Sequence, residues 1–358
     1  MKKEIQENRI KELDALRGIA ALMVVLFHFT MGRPAANLGF KYGTTGVDLF
    51  FIISGFVIFM TLTKVKGSLD FVINRVSRLY PAYWVCVTFT FLLISAIAIY
   101  KNHGVSNIDF GRYFGNLTMF QFYLGVPDLD GPYWTMIIEM IFYVLMLLLF
   151  HFNRLNYLNA VGIGLSVLTA LAAVFFSEVN FVEEAIVWLP FLQFCPLFFA
   201  GTIFYRIHAL KRRTIGNYSI LVVSLVCQIL LFKSAGKSFK FISQGEYAMI
   251  LLIYFGLFTL FVNNKLAFLV SRGTLFLGKI SFSLYLIHQF ISVEVIIPFL
   301  VNKLHVNFWI ASFVICLPIV ILLATAVTYF FETPLSRRMK ERLRRLKAQM
   351  NLESYGHR

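Results

Sequence analysis

Charged residues are scarce in this chain. Asp, Glu, Lys and Arg together make up 14% of its 358 residues, and only 18 residues are acidic. An average soluble domain carries about 25% charged residues, so the composition excludes an ordinary soluble fold. Cysteine is also rare: the four cysteines lie far apart in apolar stretches, and no two of them form a CxxC pair. Disulfide and metal-binding roles are therefore not indicated.

Several motifs of soluble enzymes are missing. The sequence contains no GxSxG nucleophile elbow, no P-loop and no HExxH zinc motif. Hydrolase, NTPase and zinc-protease interpretations therefore lack support, and we expect no metal cofactor. A net charge of +15 could indicate a nucleic-acid partner. Most basic residues lie in short loops and in the C-terminal tail, as membrane topology requires, so no nucleic acid is expected.

The sequence contains instead a series of long apolar stretches. Hydrophobic residues make up 59% of the chain, and the mean hydropathy is +0.75. The stretches cover residues 13–31, 44–63, 83–100, 133–151, 157–177, 185–205, 218–233, 247–263, 275–298 and 308–331. Runs of this length predict membrane-spanning helices. We predict an all-α, multi-pass membrane protein of about ten helices, with a membrane domain over 1–335 and a basic tail over 336–358.

The distribution of Lys and Arg predicts the orientation. With a cytoplasmic N-terminus, the inner segments hold 23 of the 33 basic residues and the outer loops hold eight. Cytoplasmic loops are enriched in Lys and Arg, so both termini are predicted to lie in the cytoplasm. We expect the chain in the cell inner (plasma) membrane, with the tail as an amphipathic helix on the anionic leaflet.

The first apolar stretch contains two polar residues that mark a candidate site. Arg17 and His28 are eleven positions apart, so a helix places them within roughly 20° of one face and about 16 Å apart. Ala20, Ala21 and Val24 lie between them and suggest a shallow groove. Charged residues inside membrane helices usually face a partner or a substrate path. The alternative is an Arg that anchors the helix end and a His that makes a structural hydrogen bond.

Two further ionisable residues are predicted at a similar depth. Counted from the edges of their spans, His28 and His288 lie roughly 18 Å above the inner edge, and Glu139 lies roughly 10 Å below the outer edge. Glu139 shares a helix face with Thr135 and Tyr143. These residues predict one polar centre in the outer half of the bilayer. The alternative for Glu139 and His288 is a hydrogen bond between helices that fixes their packing.

Two loops carry further signals. In the inner loop, Arg75 and Arg78 share a helix face that we expect to end before Pro81. The outer stretch 101–132 contains an aromatic run from Tyr113 to Tyr123. This run either lies on the membrane surface as a packing helix or dips into the membrane.

Several stretches, taken in order, resemble the integral-membrane acyltransferase-3 family. They are ELDALRGIAALMVVLFHF at 12–29, GVDLFFIISGFVI at 46–58, RVSRLYPAYW at 75–84, DGPYWTMIIEMIFY at 130–143, GKISFSLYLIH at 278–288 and FETP at 331–334. The resemblance implies ten helices and acyl transfer from a cytoplasmic acyl-CoA to an extracytoplasmic acceptor, often a sugar hydroxyl of a cell-surface glycan. Some members carry an appended esterase-like domain, and we expect this chain to be a stand-alone form.

The resemblance assigns roles to residues by position. Arg17 and His28 match the essential pair of the family, Arg75 and Arg78 match its cytoplasmic arginine motif, and Glu139 matches the acid of its Trp-x4-Glu segment. We therefore expect His28 and Glu139 to be catalytic, and Arg17, Arg75 and Arg78 to bind the donor, acetyl-CoA. The expected acceptor-binding residues are Asp48, Trp134, Tyr143, Tyr285 and His288.

The expected partners are acyl-CoA, the lipid bilayer and a surface polysaccharide or lipid-linked oligosaccharide, with a partner acceptor protein or a homo-oligomer left open. His28 would act as a general base or form an acyl-imidazole. The alternative is a transporter or flippase of a lipid-linked glycan, with the intramembrane His and Glu as a proton-coupling site. The inner arginines favour the acyltransferase, because a thioester donor needs them and a flippase does not.

Overall fold

The structure is a computed structural model that describes residues 10–101, 109–176, 179–234, 236 and 238–356. Within these residues every regular element is helical, which confirms the all-α class. The α-helices are α1 (Lys11–Thr30), α2 (Gly46–Leu62), α3 (Ser68–Tyr100), α4 (Phe110–Leu117), α5 (Trp134–His151), α6 (Leu158–Phe175), α7 (Asn180–Trp188), α8 (Cys195–His208), α9 (Ile215–Leu230), α10 (Gln244–Val262), α11 (Arg272–Gln289), α12 (Leu317–Ala326) and α13 (Thr333–Gly356). Stretches of π-helix extend α11 to Lys303 and flank α12 on both sides.

Nine helices among the described residues are long and apolar enough to cross a membrane. They cover Lys11–Thr30, Phe40–Leu62, Ser68–Tyr100, Gly131–His151, Leu155–Phe175, Ile215–Lys233, Gln244–Val262, Arg272–Lys303 and Ile310–Met350. These helices overlap nine of the ten predicted spans. The chain is therefore a multi-pass membrane protein.

The predicted span 185–205 is not one continuous helix. It is divided into α7, a 3₁₀ turn at Pro190–Gln193 and α8, which has only 14 residues. The break begins at Leu189, whose backbone has φ −118° and ψ 71°. A residue before proline is forced out of the α region by the proline ring, so Pro190 explains the interruption.

Pro81 does not end its helix, in contrast to the prediction. α3 runs through Pro81 from Ser68 to Tyr100, so Arg75 and Arg78 lie on the same helix as the third span. Proline lacks the N–H that would bond to the Ser77 carbonyl. Membrane helices tolerate this loss where neighbouring groups satisfy the backbone, and Pro81 is buried in the structure.

The chain divides into two compact units. The first contains Met1–Lys64 and Thr135–Ser281, and the second contains Val65–Trp134 and Phe282–Arg358. The first unit thus holds α1, α2, most of α5, α6 to α10 and the first half of α11. The second holds α3, α4, the rest of α11, α12 and α13.

A very close helix crossing organises the first unit. A Cβ atom on Gly55 of α2 would lie 1.9 Å from the carbonyl oxygen of Phe198 in α8, and one on Gly201 of α8 would lie 2.1 Å from that of Ile52. Only glycine at both positions allows these backbones to approach so closely. Aromatic rings pack around the crossing, with the Phe51 and Phe198 centroids 4.8 Å apart.

In the second unit, the aromatic run from Tyr113 to Tyr123 lies alongside α3. Phe91 stacks on Tyr113 at 4.5 Å, Trp84 Nε1 donates to the Leu117 carbonyl at 2.9 Å, and Tyr80 Oη donates to the Thr118 carbonyl at 2.9 Å. Phe91 and Tyr80 are eleven residues apart on α3, which corresponds to about 16 Å. The run therefore follows the side of a membrane helix over half the thickness of a ~30 Å hydrocarbon core.

Candidate functional site

The helix that carries Arg17 and His28 is continuous. α1 extends without interruption from Lys11 to Thr30. The two side chains therefore lie on one face and about 16 Å apart along the axis. Both are half-buried.

The surface of α1 between these two residues is already packed. Ala20, Ala21 and Val24 are buried, and a Cβ atom on Gly46 would lie 2.6 Å from Val24 Cγ2 and 2.8 Å from the Ala20 carbonyl oxygen. The beginning of α2 thus covers the part of the face where the sequence predicted a groove. Small residues on α1 allow this close approach, so their role here is packing.

The other end of the same helix is fixed by α11. A Cβ atom on Gly278 would lie 2.0 Å from the Asp14 carbonyl oxygen, and one on Gly18 would lie 2.6 Å from the Gly278 backbone nitrogen. Gly278 opens the GKISFSLYLIH stretch, so two of the stretches that carry the family resemblance meet here. The backbone beside Arg17 is therefore held in place by a neighbouring helix.

The hydrogen bond of His28 defines the position of its proton. Nδ1 lies 2.9 Å from the carbonyl oxygen of Val24, one turn earlier in α1. A carbonyl only accepts, so Nδ1 carries the hydrogen and donates it. In the neutral ring Nε2 then holds the lone pair. This nitrogen can therefore accept a proton or attack a carbonyl carbon. The ring of Phe27 contacts the imidazole edge to face at 5.0 Å.

Glu139 is bonded by two hydroxyl groups. Ser54 of α2 donates to Glu139 Oε1 at 2.5 Å, and Tyr143, one turn further along α5, donates to the same oxygen. The Tyr143 bond agrees with the predicted shared face. The hydrogen-bond partners of Glu139 do not include His28. Ser54 was missed by sequence reasoning, and its only signal was a hydroxyl within the apolar GVDLFFIISGFVI stretch.

Asp48 is buried within a polar network of the first unit. Its side chain is 1% exposed, and Tyr247 of α10 donates to Oδ1 at 2.7 Å. Gln228 of α9 in turn donates to Tyr247 Oη at 3.1 Å and to the Gln193 carbonyl at 3.1 Å. The network connects α2, α9 and α10 with the turn before α8. Asp48, predicted from the sequence to be among the acceptor-binding residues, therefore lies inside the unit.

In the second unit, Arg75 and Arg78 face different surroundings. Arg75 is half-buried and lies over the ring of Phe71 at 5.9 Å, whereas Arg78 is exposed. Lys340 of α13 is close enough to Arg75 for mutual electrostatic repulsion. The ion pair between Lys347 and Asp70, at 2.6 Å, also holds α13 against α3. The tail thus places Lys340 beside the arginine motif, which the sequence did not indicate.

Tyr285 and His288 lie in the second half of α11, in the same unit as Trp134. His288 is fully buried, and its Nδ1 donates to the Tyr285 carbonyl at 2.9 Å. Tyr285 Oη donates to the carbonyl of Pro132, two residues before Trp134, at 3.3 Å. Asp130 Oδ1 accepts from the backbone N–H of Phe290, where the helix becomes π-helical. These bonds tie the DGPYW segment to the end of α11, and π-helical turns are frequent at functional sites.

Asp130 gives the second unit a pH-dependent stability. Burial raises its pKa to about 7 from the ordinary value of 3.8, and the nearby acids Asp128 and Glu294 contribute. The folded chain therefore binds more protons than the unfolded chain between these two values, so the free energy of unfolding falls as the pH rises from about 4 to about 7. We expect the thermal midpoint of the purified protein to decrease over this range.

The variant that tests this expectation is Asp130→Asn. Asparagine keeps the Oδ1 acceptor for Gly131 and Phe290 but does not titrate. Thermal unfolding followed by tryptophan fluorescence should show a flatter dependence of the midpoint on pH in the variant. If the thermal midpoint of Asp130→Asn depends on pH as steeply as that of the wild type, Asp130 is not the cause of the pH dependence.

The remaining acidic, histidine and cysteine side chains among the described residues give no sign of a metal site. Glu332 of the FETP stretch accepts from Ser283 at 2.7 Å and from Thr328 at 3.2 Å. No group of three or more His, Cys, Asp or Glu residues that could hold a metal ion occurs in the part of the chain that the structure describes. All four cysteines are buried as free thiols.

Comparison with known proteins gives a consistent picture. The family described as "Acyltransferase domain" matches residues 10–329. A protein of Shigella phage Sf6 named O-acetyl transferase is 25% identical over 347 residues, which cover 92% of this chain and 94% of that protein. The O-acetyltransferase OatA of Staphylococcus aureus (strain NCTC 8325 / PS 47) is 25% identical over 356 residues, which cover 91% of this chain and 57% of OatA.

The chain thus spans little more than half the length of OatA. No solved structure matches it. Both relatives are named as O-acetyltransferases, so the alternative interpretation as a transporter or flippase gains no support from them.

Proposed function

Because this chain belongs to the integral-membrane acyltransferase-3 family, which matches it over residues 10–329, we propose that it acylates an extracytoplasmic sugar hydroxyl with an acyl group from cytoplasmic acyl-CoA. It is an acyltransferase, and the names of its relatives favour acetyl as the group transferred and oxygen as the acceptor atom. The proposed donor is acetyl-CoA. The proposed acceptor is a cell-surface polysaccharide or a lipid-linked oligosaccharide at the inner (plasma) membrane.

The observation that carries the proposal is the contact of His28 Nδ1 with the carbonyl oxygen of Val24, 2.9 Å away. With Nδ1 bonded to the Val24 carbonyl, the lone pair of the neutral ring is on Nε2. In direct transfer, Nε2 takes the proton of the acceptor hydroxyl while its oxygen attacks the thioester carbon. The C–S bond breaks, the ester C–O bond forms, and the proton passes to the CoA thiolate. In the two-step route Nε2 itself attacks the thioester carbon, the C–S bond breaks, and CoA leaves as the thiolate. The acceptor oxygen then attacks the acyl-imidazole, the C–N bond breaks, and the hydroxyl proton passes to the thiolate.

Basic residues are proposed to hold the donor. Arg17, Arg75 and Arg78 would donate to the phosphates of CoA, because guanidinium groups form paired charge-assisted hydrogen bonds with phosphate oxygens. Half-burial of Arg17 and Arg75 supports this role, since a partly desolvated charge interacts more strongly than an exposed one. Lys340 of the basic tail lies beside Arg75 and increases the local positive potential.

Glu139 is proposed as the second catalytic residue. Its Oε1 is fixed by Ser54 and Tyr143, and this leaves Oε2 to bind a substrate hydroxyl. The proposed acceptor-binding residues are Trp134, Tyr143 and Tyr285, with aromatic faces and hydrogen-bonding groups suited to a sugar. His288 is fully buried and would act at this site only through Tyr285. Asp48 would act at this site only through Tyr247, because its carboxylate is buried.

The experiment that tests the function compares cells with and without the gene. Mass spectrometry of surface glycans should show an acyl ester, an acetyl group by our expectation, that disappears with the gene and returns on complementation. In parallel, detergent-purified protein should release free CoA thiol from acetyl-CoA when acceptor oligosaccharide is added. Unchanged glycans together with no donor turnover would contradict the proposal.

A further inference from the structure

Helix α13 lies against α3 in an antiparallel register. Lys347 Nζ of α13 lies 2.6 Å from Asp70 Oδ1 of α3, and Lys340 is close enough to Arg75 for an electrostatic effect. Residue numbers therefore rise along α3 as they fall along α13. Arg75 lies about 7.5 Å beyond Asp70 on α3, and Lys340 lies about 10.5 Å from Lys347 on α13. Lys340 and Arg75 thus extend from two different helices at nearly the same level.

One face of α13 carries a row of basic residues. Lys340, Arg344 and Lys347 have the spacing i, i+4, i+7, so a helix places all three within about 60° of one another. Because Lys347 of this row binds Asp70, the row is turned toward α3. Lys340 is half-buried as a result, whereas Arg344 is exposed.

The positive charges at the level of Arg75 are not balanced by acids. The charged groups that act on Lys340 are Arg344 and Arg75, and both repel it. Asp70 is occupied by Lys347, two turns away on α13. Within the described part of the chain Lys340 forms no ion pair or hydrogen bond, and its Nζ reaches solvent. Basic groups gathered from two helices without a carboxylate between them favour a bound anion.

We propose that Lys340 and Arg344 of α13, together with Arg75 of α3, form a phosphate-binding site between the two helices. The two guanidinium groups would donate paired hydrogen bonds to phosphate oxygens, and Lys340 would act as a compact point charge. The proposal rests on the proposed function when the phosphate belongs to CoA, and it extends the donor site from α3 to the C-terminal helix. A lipid headgroup offers the same phosphate chemistry, so the experiment has two arms.

The test variants are Lys340→Met and Arg344→Met, and the matched controls are Arg338→Met and Arg345→Met. The controls remove the same charge from the same helix. Arg338 and Arg345 are exposed and lie roughly 140–160° around α13 from Lys340. Lys340 is repelled by both charged groups that act on it, so the thermal midpoint of Lys340→Met should equal or exceed that of the wild type.

In the first arm, full-length protein in a phosphate-free maltoside detergent is titrated with CoA by calorimetry. Lys340→Met and Arg344→Met should each weaken binding by about tenfold, because each loses a charge-assisted contact with phosphate. Arg338→Met and Arg345→Met should bind CoA like the wild type. In the second arm, native mass spectrometry of the same five proteins measures retention of phosphatidylglycerol.

The outcomes separate the phosphate site from the proposed function. Loss of phosphatidylglycerol from the two test variants alone, with CoA affinity unchanged, would assign the phosphate to a lipid. If the wild type binds no CoA, the proposed donor is wrong, and the lipid arm alone decides the site. If Lys340→Met and Arg344→Met match their controls in both arms, α13 does not bind phosphate, whatever the wild type does with CoA.

Discussion

Substitution of His28 by alanine is expected to reduce acyl transfer by at least about a hundredfold, the lower end of what a positioned general base contributes. The expected cause is the loss of Nε2, the only atom of this ring with a lone pair while Nδ1 is bonded to Val24. Folding should be preserved, because the imidazole is half-buried and its hydrogen bond is made within its own helix. The measurement is release of CoA thiol with acceptor present.

A second histidine provides the control for this experiment. His151 is exposed at the end of α5, and His151→Ala should keep the wild-type rate. Binding of CoA to His28→Ala should remain close to normal, since the proposed phosphate contacts lie elsewhere. Wild-type transfer by folded His28→Ala would remove His28 from the mechanism. Mass spectrometry of the acid-quenched wild-type enzyme then separates the two routes, because only the two-step route leaves an acyl group on His28.

Alanine at Gly55 is expected to abolish the folded protein almost completely. The added Cβ would lie 1.9 Å from a backbone carbonyl oxygen of α8, and the reciprocal Gly201 contact is 2.1 Å. Backbone cannot move aside as a flexible side chain can, so α2 and α8 would have to separate and lose the ring packing around Phe198. Overpacking of a core commonly costs about 1–3 kcal/mol, and this contact is closer than a repacked side chain allows.

The matched control is Gly256→Ala in α10. Nothing lies within 4 Å of a Cβ at that position, so alanine should fold at least as well as the wild type, given its better helix propensity. Size-exclusion chromatography in detergent and the thermal midpoint compare the two variants. A monodisperse Gly55→Ala protein with a wild-type midpoint would show that the crossing can widen without cost.

Most of the fold could be predicted from hydropathy, and the errors arise at prolines. Apolar length placed nine spans correctly, because a membrane helix must bury about 20 apolar residues whatever its partners. Pro81 lies inside a continuous helix, whereas Pro190 interrupts a predicted span, and hydropathy alone could not distinguish the two prolines. The difference lies in whether neighbouring groups satisfy the freed carbonyl, and that depends on tertiary contacts.

The site was predictable where it depends on one helix and not where it depends on several. The shared faces of Arg17 with His28 and of Glu139 with Tyr143 follow from helical periodicity. Ser54 as a partner of Glu139, and the covering of Val24 by Gly46, depend on helices that are distant in sequence. The groove was inferred from small side chains, which line a passage or admit a neighbouring backbone equally well.

Helix α1 holds the proton of His28 through a hydrogen bond of its own, since donor and acceptor are one turn apart in the same helix. The tautomer therefore depends on a short stretch of sequence within α1. Neighbouring helices can change their residues, and even shift during a catalytic cycle, without moving that proton.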